Sequence, residues 1–289
     1  MFRTFVLIFA LLALMAIPVW AQQSKPLTLH QKAQIESVSP DATITCTYQF
    51  TSGSGNTYLQ FCVTVNGNIV EFQSPSGVEQ LAPQSAYPYE GYGLCDLSGS
   101  SNIGYYDYAY GDSGNWNAPT TLSHTSTAVK IARTTSDGLW TLTQTISMVA
   151  GTNPYAKIVM ALKNNSAITR HAFLLRYANA IPDNGPATSY AENYDGTWES
   201  AWGVCPMNVC TNGGPYGLML QELGNPTPAS ISWARGGFAI DTMQGPDPCN
   251  FGTNYVGTIT NGLGSIVYNY NINLNKQQTG TFTERYITF

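Results

Sequence analysis

Charge is scarce in this chain. Lys, Arg, Asp and Glu together make up 10% of its 289 residues, under half the roughly 25% usual in soluble domains. The shortage is greater on the positive side, with 12 Lys and Arg against 17 Asp and Glu and a formal charge of −5. No basic cluster exists, and binding to nucleic acid or to an anionic membrane rests on such clusters; neither partner is expected. Also missing are an amphipathic helix of any length and a repeat of fixed period. The longest apolar run, Phe5 to Ile17, has 13 residues, against about 20 for a spanning helix. The six cysteines contain no C-x2-C pair, so zinc lacks its usual clasp, and no metal or cofactor is expected.

What is present starts with an export signal. Arg3 supplies the positive start, the run from Phe5 to Ile17 the apolar centre, and Val19-Trp20-Ala21 a compact cleavage site before Gln22. No Cys follows that point, so no stable membrane anchor is implied. The expected divisions are residues 1–21 as signal, 22–42 as a polar lead-in and 43–289 as a single domain, secreted or periplasmic. Outside the cytoplasm thiols oxidise, and an even cysteine set reads as disulfides. Six cysteines allow 15 connectivities. The preferred pairs are Cys46–Cys62, Cys205–Cys210 and Cys95–Cys249. The first brackets a hairpin centred on Ser54, the second closes a short loop, and the third follows by exclusion. Against the first, Cys46 and Cys62 fall on opposite apolar phases of their strands unless a bulge intervenes.

From residue 43 onward the period is two. Trp140, Leu142, Ile146 and Met148 alternate with Thr141, Thr143, Thr145 and Ser147. Ala156, Ile158, Met160 and Leu162 share a face opposite Lys157 and Lys163, and Ile266, Tyr268, Tyr270, Ile272 and Leu274 alternate with Asn269, Asn271 and Asn273. Each pattern describes a half-buried antiparallel strand. Residues 169–178 are apolar on both faces apart from Arg170, His171 and Arg176, which suits a central strand. Asn66-Gly67 and Asp137-Gly138 supply hairpin turns. The expected fold is all-β, a large antiparallel two-sheet sandwich stapled by disulfides.

The stretches "VTVNGNIVEFQSPSGVEQL" and "KIARTTSDGLWTLTQTISMVAGTNPYAKIVMALKNNSAITRHAFLLRYAN" resemble exported bacterial proteins built on the galactose-mutarotase-like β-supersandwich. The chain is similar in particular to an uncharacterised exported group carrying "GYYDYAYGDSGNW". The likeness covers roughly residues 58–185. It implies a supersandwich and no activity, because no mutarotase-type His and Glu motif is present. Related sequences tend to be Asp-rich after "RYA"; here the segment reads Asn179-Ala180-Ile181-Pro182-Asp183-Asn184, a departure that removes the basis for a cation loop.

Two segments concentrate aromatics and carboxylates. The first runs from Tyr105 to Trp116, the second from Glu192 to Trp202. Gly111-Asp112-Ser113-Gly114 within the first mimics a protease nucleophile motif, but its Asp and Ser also suit a plain turn. If both segments sit on one rim they form one groove. Tyr106, Tyr110, Trp116, Tyr194 and Trp198 would then offer ring faces to sugars, with Asp107, Asp112 and Asp195 as hydrogen-bond acceptors. The structural alternative buries half these rings in the core. The favoured reading is a non-catalytic module that binds glycan, a cell-surface polymer or another extracellular surface. A carbohydrate-active lyase or hydrolase working through Glu192, Asp195 or Glu199 is the alternative, and a purely structural surface protein is the third. No catalytic residue is assigned, and the oligomeric state is open.

Overall fold

Alternating side chains make strands, and the described residues make sixteen of them. The computed structural model describes residues 45–81, 90–109, 111–184, 189–193, 199–238, 247–249 and 265–289. The proposed signal and lead-in lie outside these residues. The first strands are β1 (Tyr48–Ser52), β2 (Leu59–Val63), β3 (Ile69–Gln73), β4 (Glu90–Asp96) and β5 (Ile103–Asp107). Next come β6 (Thr120–His124), β7 (Ala128–Thr134), β8 (Trp140–Val149), β9 (Tyr155–Asn164) and β10 (Arg170–Ala178). The last are β11 (Ser189–Asn193), β12 (Ser200–Cys205), β13 (Tyr216–Glu222), β14 (Ile231–Phe238), β15 (Ser265–Leu274) and β16 (Thr279–Thr288). Among the described residues there is no α-helix.

The strands form three antiparallel sheets: β1-β2-β3, β14-β15-β10-β4-β5, and β11-β12-β13-β16-β9-β8-β7-β6. One core cluster joins all three, from Phe50, Phe61 and Phe72 through Leu94 and Leu174 to Ile146, Ile158 and Phe282. Its rings meet across the layers: Tyr270 of β15 lies 4.7 Å from Phe282 of β16, and Phe72 of β3 lies 6.0 Å from Tyr286 of β16. The expected all-β sandwich is what the chain forms. β10 occupies the centre of the five-stranded sheet, as its apolar character on both faces requires. Trp140, Leu142, Ile146, Ile158, Met160, Leu162, Ile266, Tyr268 and Ile272 are all buried, and Met148 packs half-buried against them.

Asn66-Gly67 does turn the chain, in a wider loop than a two-residue hairpin. Val63 pairs with Ile69, and the Thr64 and Asn68 backbones bond each other inside the loop. Gly67 takes φ 92° there, and a Cβ on it would meet the Gln144 amide at 2.6 Å, so glycine is required on both counts. Asp137-Gly138 closes β7–β8, with Gly138 at φ 74°.

All three disulfides join the expected partners: Cys46–Cys62, Cys95–Cys249 and Cys205–Cys210. The geometry behind the first differs from the expectation. Cys62 stands opposite Gln49, so Cys46 lies beyond the end of β1 and crosses diagonally, with Cα atoms 5.5 Å apart. The register is three residues off a hairpin centred on Ser54, and a bulge between Cys62 and Val63 shifts the phase on the other side.

Polar groups enter the interior in one place above all. Arg176 of β10 forms a wholly buried ion pair with Glu90 of β4. Arg176 also donates to Gln144 Oε1 at 2.6 Å and to the Gly67 carbonyl at 3.2 Å. Glu90 accepts from the Ile69 backbone at 2.5 Å and from the Tyr286 hydroxyl at 3.0 Å. Every sheet contributes to this knot.

Thiol titration of denatured, unreduced protein is expected to find no free cysteine. Leu142→Ala and Ile158→Ala should each cost about 2–5 kcal/mol in denaturant unfolding. Thr143→Ala, on the opposite face of β8, should stay within about 0.5 kcal/mol.

Candidate functional site

The residues expected to form a groove divide by the rule that built the strands: neighbours along a strand face opposite ways. In β5, Tyr105 and Asp107 point into the sandwich, and Tyr106 points out. Asp107 is buried and accepts from Arg133 Nη1 at 2.6 Å and from Asn66 Nδ2 at 2.8 Å, with the Ala109 backbone on its other oxygen at 3.0 Å. Arg133 of β7 also donates to the Tyr92 hydroxyl at 3.1 Å and to Asp112 Oδ2 at 3.3 Å. Asp112 additionally holds the Gly114 backbone at 2.7 Å, which makes Gly111-Asp112-Ser113-Gly114 a turn locked to the layer beneath.

Trp116 is only 7% exposed. Its ring lies edge-on to Tyr92 and Tyr105, at 5.6 and 6.0 Å, under the Arg133 guanidinium at 5.6 Å. The expectation of an open stacking face at Trp116 therefore gives way to an interior ring, and Asp107 to a buried ion pair. Burial raises the Asp107 carboxyl to about 6, helped by Asp112 and opposed by Arg133. A carboxyl raised on folding stabilises most below its unfolded value near 3.8, and that contribution is lost as pH climbs through about 6.

The strands that flank the two segments stand at opposite edges. β5 and β7 lie at one edge of their sheets, and β11, β12 and β14 at the other. The described residues do not bring the segments onto one rim. Tyr110, Tyr194, Asp195 and Trp198 lie outside the described residues, as does the Glu192 side chain.

Two other constellations emerge. The first is the far face of the five-stranded sheet, where Tyr106, Leu175, Asn269 and Trp233 fall in one row across β5, β4, β10, β15 and β14, with Gly93 between the first two. Most of that face is covered: Leu175, Tyr177, Val267 and Asn269 are fully buried and Pro248 packs over Gly93, so only the end beside Trp233 is partly open. Phe173 and Asn271 stand in the next row. Phe173 and Trp233 are half-buried and meet edge to face at 5.9 Å. His171 bonds the Asn271 amide oxygen and lies 6.0 Å from the Phe173 ring. At the far end Tyr106 stacks on Tyr108 at 5.2 Å. Neither amide atom of Asn269, which is fully buried, has a hydrogen-bond partner. Buried amides are almost always paired, so this one marks a polar demand that the chain leaves open.

The second constellation is acidic. The Tyr268 hydroxyl of β15 lies 2.9 Å from Glu222 Oε2, 3.4 Å from Glu199 Oε2 and 3.1 Å from Ser232 Oγ. Burial raises the Glu222 carboxyl, and Glu199 adds to that rise. Glu199 had been a candidate; Glu222, Tyr268 and Ser232 had not. One signal was readable for Glu222. It follows Leu218 and Leu220 at the inward phase of β13, where a carboxylate is out of place. Among the described residues, no group of three or more His, Cys, Asp or Glu could hold a metal ion, and no helix is long and apolar enough to cross a membrane.

Trp116→Ala is expected to cost about 3–5 kcal/mol in denaturant unfolding, the loss typical of a core ring. A cost under about 1 kcal/mol would return Trp116 to the surface.

No family model matches this chain, and no curated protein does. Among solved structures it is similar to a protein from Escherichia coli K12 provisionally named an aldose 1-epimerase. The identity is 11% and the TM-score 0.46, over 84% of this chain and 99% of that one. It is also similar to a protein from the human microbiome provisionally named a kojibiose phosphorylase, at 11% identity and TM-score 0.43. That match covers 87% of this chain and 31% of the other, so this chain spans about a third of its length. Neither likeness carries a superfamily or an activity over to this chain.

Proposed function

We propose that this is an exported protein that binds a neutral glycan on the partly open end of the far face of its five-stranded sheet, without cleaving it. The observation that carries the reading is the half-buried Phe173 and Trp233 ring pair, edged by His171 and Asn271. Sugars are recognised by apolar ring faces with a few polar groups at their edges. Tyr106 stands apart from this pair, beyond the buried Leu175 and the covered Gly93. A chain with 10% charged residues offers hydroxyl, amide and ring surface rather than charge, which suits an uncharged ligand. Three disulfides mark an oxidising environment. Secretion or release to the periplasm, a signal at residues 1–21 and one domain over residues 43–289 belong to this proposal.

A second reading has its own support. Glu199 and Glu222 both reach the Tyr268 hydroxyl, which keeps their oxygens within about 6 Å of each other, near the spacing of a retaining glycosidase pair. Under that reading the protein is a hydrolase or lyase acting on the same class of polymer.

A glycan array with the mature protein should show binding to neutral glycans that changes little with salt. Trp233→Ala and Phe173→Ala should each weaken it about 30-fold or more. Unchanged binding by both folded variants would sink the site. Release of reducing ends by the wild type, lost in Glu222→Gln, would replace binding by hydrolysis.

A further inference from the structure

Glu222 and Glu284 are directly opposite each other on β13 and β16. Both point into the sandwich, beneath Tyr268 and Tyr270 of β15. Glu284 is fully buried, and neither of its oxygens has a hydrogen-bond partner; the nearby Tyr270 hydroxyl has none either. Glu222, 8% exposed, has one satisfied oxygen, bonded by Tyr268, and one without a partner.

Among the described residues, the cation that acts on Glu284 is Arg176. Arg176 is already joined to Glu90, Gln144 and the Gly67 carbonyl. The groups that face Glu284 are Glu222 from β13, Tyr270 from β15, and Arg176 and Glu90 from β10 and β4. Those around Glu222 are Tyr268 from β15, Glu199 at the start of β12 and the Ser232 hydroxyl from β14. Tyr286, two residues along β16, is bonded to Glu90. Two adjacent carboxylates away from water cannot both ionise without a cation or donors. Glu222 has the Tyr268 donor at 2.9 Å, whereas Glu284 faces only the Tyr270 hydroxyl, which does not offset its burial.

We propose that Glu284 is a neutral carboxylic acid in the folded protein at neutral pH. It stands beside an ionised Glu222, and the pair makes the β13–β16–β15 seam a clasp that tightens in acid. Burial pushes the Glu284 carboxyl well above its usual range, more than Arg176 lowers it. The sign follows. In the unfolded chain both carboxyls lose their protons near pH 4.3. Between there and the raised value, the folded protein binds a proton that the unfolded chain does not, so stability falls as pH rises. The seam carries β12 and the Glu199 side of the sandwich, so it is there that alkaline pH loosens the structure.

Other buried carboxyls contribute to the pH slope of the whole protein. Glu79 is raised to about 7, mainly by burial, and Asp107 to about 6. The test must therefore compare variants. The full mature chain and its Glu284→Gln and Glu222→Gln forms would be unfolded by calorimetry from pH 5 to 8. Proton uptake on folding is read from the change of Tm with pH. Glu284→Gln should lower that uptake at pH 7 by about one proton and should melt above wild type at pH 8. Glu222→Gln should leave most of the uptake in place, because burial raises Glu284 more than Glu222 does. An unchanged slope in Glu284→Gln overturns the proposal, and so does an equal loss in both variants. Should Glu284→Gln fail to fold, infrared spectra of the Glu79→Gln protein in heavy water at pH 8, where Asp107 is ionised, decide. A protonated-carboxyl band supports the neutral acid, and its absence overturns it.

Discussion

The sandwich depends on the Arg176–Glu90 ion pair. It draws on all three sheets: Glu90 and Arg176 from the five-stranded sheet, Ile69 from the three-stranded sheet, and Gln144 and Tyr286 from the eight-stranded sheet. Two charges removed from water are costly, and only a full set of hydrogen bonds offsets the cost. That set exists here because β3, β4, β8, β10 and β16 arrive together. A small shift of any layer would leave a buried charge unpaired, so the pair acts as a gauge of correct assembly. The Gly67 turn belongs to it, because its carbonyl takes an Arg176 proton and its missing Cβ leaves room for Gln144.

A second network adjoins it. Asp107, Arg133, Asp112 and Tyr92 join β5, β7 and β4, with Trp116 packed under the guanidinium. The Asn66 carbonyl accepts from Tyr92 and Gln144, which links this network to the first. Few charges exist in the chain, and many of them are inside. The surface is left to Thr, Asn, Ser and Tyr, and the interior to an excess of carboxyl groups over cations. The neutral outer face and the proton-binding seam both follow from that distribution.

The acidic seam and the ring-lined face lie on opposite sides of the same sheet. Along β15, Tyr268 and Tyr270 point to the carboxyls, while Asn269 and Asn271 point to Phe173 and Trp233. One strand therefore couples the proposed binding surface to the proposed clasp, through residues that differ by a single step.

Strand phase was legible in the sequence. The alternation in residues 140–149 and 155–164 reports which side of each strand meets water, a local property of the pleat. In residues 265–274 it separates the two faces correctly, but the Asn269 side, expected to meet water, is buried as well. The disulfide partners were also within reach, because three pairs in an oxidising environment leave few alternatives once two are placed. The sequence further carried unread signals. Gln144, Arg176, Glu222 and Glu284 all stand at apolar phases of their strands, where a polar side chain needs a buried partner. Their partners could not be named, because each lies on a strand distant in sequence. Only the tertiary structure decided that β16 inserts between β13 and β9, which sets Glu284 beside Glu222. Only it decided that the Tyr105–Trp116 segment and the strands flanking the Glu192–Trp202 segment stand at opposite edges. Periodicity is set by the nearest neighbours along the chain, whereas sheet order is set by which distant strands complete one another's hydrogen bonds and cover one another's apolar faces.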